Sequence, residues 1–110
     1  MSCTNIIEIA KSTVRLESGE MTSLEYFLRC FTGPEGEALY GLRVDMRRPD
    51  GEGELVERNE TEPLTGSIEE ATVLAEAFAA GTVMPCVLIE MVEEWFCPET
   101  KQVMLGKQLV

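Results

Sequence analysis

The residues that could do chemistry are four cysteines and a set of glutamates. Cys3, Cys30, Cys86 and Cys97 are scattered, none forms a C-x-x-C pair, and the chain contains no histidine. A zinc site would need all four thiolates to converge without the usual paired spacing. A catalytic thiol would need a basic partner to activate it, and the commonest one is missing. Cys86 is the best placed, because it falls in the first turn of an expected helix, where the helix dipole favours a thiolate. The favoured reading of Cys86 is nonetheless a small buried apolar residue. Glu90 and Glu94 lie one helical turn apart with no lysine to offset them. Such a pair suits a hard cation, but no calcium loop and no E-x-x-H motif accompanies it. Phosphate-binding glycine loops and a G-x-S-x-G elbow are also absent. The expectation is no catalytic residue, no metal and no cofactor.

Charge is the stronger signal. The net charge is −11, and it is unevenly placed. From Asn59 to Thr100 there are nine glutamates and no lysine or arginine, whereas seven of the nine basic residues precede Asn59. Uniform acidity speaks against nucleic acid and against an anionic membrane, since both recruit clustered cations. It favours a basic protein partner, steered toward an acidic helical face at Glu69, Glu76, Glu90 and Glu94. A small-molecule site near Tyr26, Tyr40 and Trp95, between sheet and helices, is the alternative. The six methionines are scattered, which fits core filling.

The elements that must position these groups follow from periodicity. Ser23 to Phe31 and Ala38 to Arg47 alternate with period two, as half-buried strands do. Leu24, Tyr26, Leu28, Tyr40, Leu42, Val44 and Met46 take one face. Glu25, Phe27, Arg29, Arg43, Asp45 and Arg47 take the other, which is expected to be wet. Shorter strands are expected at Ser12 to Leu16 and Glu54 to Arg58, completing a four-stranded antiparallel meander. Turns centred on Pro34 and Asp50 would set Tyr26 opposite Leu42 and Val44 opposite Val56, with Glu25 and Glu57 beside Arg43 and Phe27 over Gly41. If Phe27, Phe31 and Leu39 stay exposed on the outer face, two copies could associate through it.

The second half reads as two helices. Ser67 and Glu70 form a capping box, and Ile68, Ala71, Leu74, Ala75 and Phe78 follow at helical spacing. Gly81 suits the C′ position and Pro85 the start of the second helix. Leu88, Met91, Val92, Trp95 and Phe96 form its core stripe, and Pro98 stops it. The fold expected is α+β: one domain over residues 1–98, with the two helices on one sheet face, and a tail over 99–110. The N-terminus has Glu8 before its first basic residue, which does not read as a signal peptide, and no apolar run reaches membrane-spanning length. A cytoplasmic setting with free thiols is therefore expected.

Three stretches together resemble a known family. They are Tyr40-Gly41-Leu42-Arg43-Val44 in a strand, Thr82-Val83-Met84-Pro85-Cys86-Val87-Leu88 at a helix start, and Val92-Glu93-Glu94-Trp95. The chain from Ser12 to Phe96 is similar to a family of short proteins of unknown function from clostridial-type Firmicutes. The resemblance implies a shared fold and a bacterial cytoplasmic setting. It implies no activity and no catalytic residue.

Overall fold

The computed structural model describes residues 2–48 and 53–96. The Pro49-Asp50-Gly51 turn, Cys97, the Pro98 stop and the tail lie outside the described residues. The expected α+β architecture is present. Strands β1 (Cys3–Arg15), β2 (Met21–Thr32), β3 (Ala38–Arg47) and β4 (Leu55–Glu60) form an antiparallel sheet in the order β1-β2-β3-β4. Helix α1 (Ile68–Ala80), a 3-10 turn (Pro85–Val87) and helix α2 (Leu88–Phe96) follow. The core lies between one sheet face and the helices. Leu24, Tyr26, Leu28, Leu42 and Val44 from the sheet meet Ala71, Leu74, Ala75, Phe78, Val83, Leu88 and Val92. Alternation of apolar side chains in β2 and β3 produces this layer, because the period of two puts every second residue under the helices.

Strand β1 is far longer than expected. It runs from Cys3, upstream of Ser12, because Ile6 and Ile7 are pulled into pairing with β2. A bulge between Glu8 and Ala10 breaks the simple alternation, so Ile9 and Ala10 both pack toward the core. That break hides the strand from a period-two reading.

The registers also differ from expectation. Tyr26 stands opposite Val44, not Leu42, and Glu25 opposite Asp45, not Arg43. The β2–β3 turn is a five-residue loop from Gly33 to Glu37, closed by the Gly33 N–H on the Glu37 carbonyl. The Glu37 carboxylate accepts from the Glu35 N–H, and Gly36 takes a left-handed φ of 86°. This shift is by two residues, so the faces are kept. The β3–β4 shift is by three residues, and it reverses the faces of β4. Val44 meets Asn59 rather than Val56, and Asp45 meets Arg58. The hairpin closes at Arg48 N–H on the Glu54 carbonyl, with Gly53 left-handed. Val56 is left 48% exposed.

The caps follow the sequence with two changes. Ser67 Oγ accepts from the Glu70 N–H at 3.0 Å, as a capping box requires. The return bond is relayed: Thr65 Oγ1 donates to Glu70 and accepts from the Ser67 N–H. At the other end, Gly81 is not left-handed, with φ −89°. Thr82 takes that position at φ 50°, with its N–H on the Ala79 carbonyl and the Val83 N–H on the Phe78 carbonyl. This is the Schellman pattern with a β-branched residue where glycine fits best. Thr82→Gly is therefore expected to stabilise the fold by about 0.5–1 kcal/mol, after the entropic cost of glycine. Urea denaturation would read this as a higher midpoint at unchanged slope.

Ile68, expected in the core stripe, is 40% exposed. Pro85 opens the 3-10 turn rather than α2 itself, and Asn59 Nδ2 holds its carbonyl at 3.0 Å.

Candidate functional site

The outer sheet face, expected to be wet, is instead a packed ionic layer. Asp45 is 0% exposed. Arg58 donates to it from Nε at 2.8 Å and from a terminal nitrogen at 3.1 Å. Arg43 does the same at 3.2 and 3.0 Å, and Arg47 lies 3.6 Å away. The strand pairing explains the convergence: Arg43 and Arg47 flank Asp45 on the same face of β3, and Arg58 sits directly opposite. Burial alone would raise the Asp45 pKa. The hydrogen bonds and charges of Arg58 and Arg43 outweigh it and hold the carboxyl below its ordinary value. The same contacts push the Arg58 pKa up.

Aromatic rings complete this layer. The Arg43 guanidinium lies 4.7 Å from the Phe27 ring centroid, and that of Arg29 lies 4.8 Å from Phe31. Phe31 is 3% exposed. Of the apolar residues on this face, Phe31 is thus buried within the chain, and Phe27 and Leu39 are half-buried. Arg47 pairs with Glu25 at 2.9 Å, Arg29 with Glu60 at 3.2 Å, and Arg48 with Glu20 and Glu54. Every arginine from Arg29 to Arg58 has a carboxylate partner.

The helical layer is the reverse. Glu69, Glu76, Glu90, Glu93 and Glu94 are all exposed. Among the described residues none of them has a cationic partner within ion-pair distance. The four glutamates singled out in the sequence fall into two stripes. Glu69 and Glu76 lie on one face of α1, with Val73 between them at helical spacing. Glu90 and Glu94 share a stripe with Val87 on the 3-10 turn and α2. Val73 is 56% exposed and Val87 36%. The sequence reading missed both valines. Their spacing of three or four residues from glutamates was the available signal.

The other candidates are placed differently. Tyr26 is 1% exposed, and its hydroxyl donates to the Val83 carbonyl at 2.9 Å. Burial pushes its pKa up, opposed by Ser12. Trp95 packs edge-on against Phe78 with centroids 6.1 Å apart, and Tyr40 is half-buried. Tyr26 and Trp95 thus act as packing between sheet and helices. Cys86 is exposed, and Cys3 and Cys30 are partly buried; all three are free thiols. Burial, with Cys3 nearby, raises the Cys30 pKa. Among the described residues no group of three or more metal-ligating side chains converges, and no helix is long and apolar enough to cross a membrane.

The sequence profile of the family of unknown function DUF6514 matches residues 5–98. The chain belongs to that family. The DUF6514 match begins upstream of Ser12, so it takes in nearly all of β1 together with both helices. The matched residues include both the ionic sheet face and the acidic helices of this chain. No curated protein and no solved structure matches the chain.

Proposed function

We propose that this DUF6514 domain is a non-enzymatic interaction module whose acidic helical face receives a basic partner protein. The observation that carries this reading is the segregation of charge. The arginines from Arg29 to Arg58 on the sheet side are neutralised inside the chain, while Glu69, Glu76, Glu90, Glu93 and Glu94 are exposed without cations among the described residues. Unneutralised like charge costs some stability, and a cationic partner would remove that cost. Val73 and Val87 add apolar contacts ringed by carboxylates, the pattern of an interface centre with a charged rim. The free thiols suit a reducing bacterial cytoplasm.

The test compares capture from native lysate by the wild-type chain and by Glu90→Lys/Glu94→Lys. A basic protein retained at low salt, released at high salt and weakened at least about tenfold by the double reversal is expected. Identical retention by both chains at both salts would refute the reading.

A further inference from the structure

Strand β1 is an edge strand of thirteen residues whose outer edge has no pairing partner among the described residues. Long edges are usually blunted by charge and by bulges. This one carries both, but arranged symmetrically. Glu8 and Lys11 lie on the outer sheet face, opposite Phe27 and Glu25 of β2. The bulge lies between them, at the middle of the strand. We infer that β1 pairs antiparallel with β1 of a second copy, about a two-fold axis between Ile9 and Ala10.

The register follows from the faces. Ile6, Glu8, Lys11, Thr13 and Arg15 point outward, while Ile7, Ala10, Ser12 and Val14 point to the helix side. Because the bulge shifts parity at Ile9, pairing keeps like faces together only when even positions meet odd ones. Centring between Ile9 and Ala10 sets Glu8 against Lys11 of the second copy, and Lys11 against its Glu8. Ile6 then meets Thr13, and Ile7 meets Ser12. Ile9 meets Ala10, and both of these face the core side. Slipping the register by one residue in either direction sets outward residues against inward ones, and slipping it by two keeps most faces but parts Glu8 from Lys11. The charges that repel a foreign strand are thus complementary to this one. Ile7, 36% exposed in the single chain, gains a neighbour across the seam. The product is an eight-stranded antiparallel sheet with both helical layers on one side, an isologous dimer. It leaves the acidic helical face untouched, so it does not depend on a basic partner binding there.

Two measurements test it. Light scattering during size exclusion, at physiological salt, is expected to give twice the chain mass of 12.2 kDa. Glu8→Lys and Lys11→Glu each place two like-charged pairs across the seam, and each is expected to weaken dimerisation at least about tenfold. The combined Glu8→Lys/Lys11→Glu chain is expected to restore it. A second variant avoids any change of charge. Ile6→Cys/Thr13→Cys brings two thiols within disulfide range across the seam, whereas within one chain they lie about 20 Å apart. Oxidation is expected to link the double variant into dimers and neither single variant. A monomeric wild type overturns the inference, as do single reversals without effect and the absence of linking specific to the double variant.

Discussion

Asp45→Asn is expected to destabilise the domain by about 3 kcal/mol, measured as a loss in the free energy of unfolding in urea. The carboxylate is fully buried, and it is the shared acceptor of Arg43 and Arg58 with Arg47 close by. An amide accepts with one oxygen, carries no charge, and turns two donors toward guanidiniums that already donate. Removing one member of a buried ionic group leaves the others uncompensated, a cost of roughly 3–5 kcal/mol when all are buried. Here the arginines are partly exposed, Arg58 at 37% and Arg47 at 31% of their side chains. Water can therefore solvate them after the change, which places the loss at the lower end of that range. A wild-type-like stability for Asp45→Asn would show the ionic layer to be dispensable.

The same residue sets an acid limit. Its folded pKa lies below the unfolded value, so its contribution is fully present above about pH 4. That contribution is lost as pH falls through the folded pKa. The informative quantity is the stability difference between wild type and Asp45→Asn. It is expected to be constant above about pH 5 and to shrink steadily below pH 4.

How much of this was legible in the sequence depends on whether a residue's role is local. Alternation in β2 and β3, the Ser67 cap and the helical stripes are local properties, and they gave the fold. Register is not local. A turn cluster such as Gly33-Pro34-Glu35-Gly36 admits several loop lengths, and the one adopted depends on Glu37 closing onto Glu35 and Gly33. An error of two residues kept the core intact, whereas an error of three on β4 concealed the Asp45 cluster altogether. With Arg58 read onto the wrong face, Asp45 looked like one more solvated carboxylate. The acidic stripes were legible because they need only helical spacing. The valines within them carry the same spacing, but it does not tell an exposed valine from a core one, because exposure is a property of packing.

Gly41→Ala is expected to cost about 2–3 kcal/mol, because the segment after β4 crosses directly over this glycine. Past Glu60 the chain stays beside β3: the Thr61 N–H donates to the Leu42 carbonyl, and the Leu64 N–H to that of Tyr40. Thr61 is 4% exposed; its hydroxyl accepts from the Leu42 N–H at 2.9 Å and donates to the Glu62 carbonyl at 2.8 Å. This crossing lies against Gly41, where the sequence had placed Phe27. A methyl group there would stand 2.8 Å from the Glu62 carbonyl oxygen, 2.8 Å from Thr61 Oγ1 and 3.1 Å from the Thr61 carbonyl oxygen. Two of these atoms are backbone, and the third is held by two hydrogen bonds, so none can swing aside. The crossing must lift, weakening the Thr61 bonds to Leu42 and the Arg29 bond to the Thr61 carbonyl. Overpacking of this kind costs roughly 1–3 kcal/mol, and the lost hydrogen bonds set it at the upper end. The glycine of the Tyr40-Gly41-Leu42 stretch thus has a steric cause. Chemical denaturation of Gly41→Ala beside Gly36→Ala separates the two possible origins. Gly36 has open space around it and needs glycine only for its φ of 86°. Its replacement should cost about 1 kcal/mol, less than that of Gly41. Equal losses at the two positions would mean that the crossing over Gly41 yields easily.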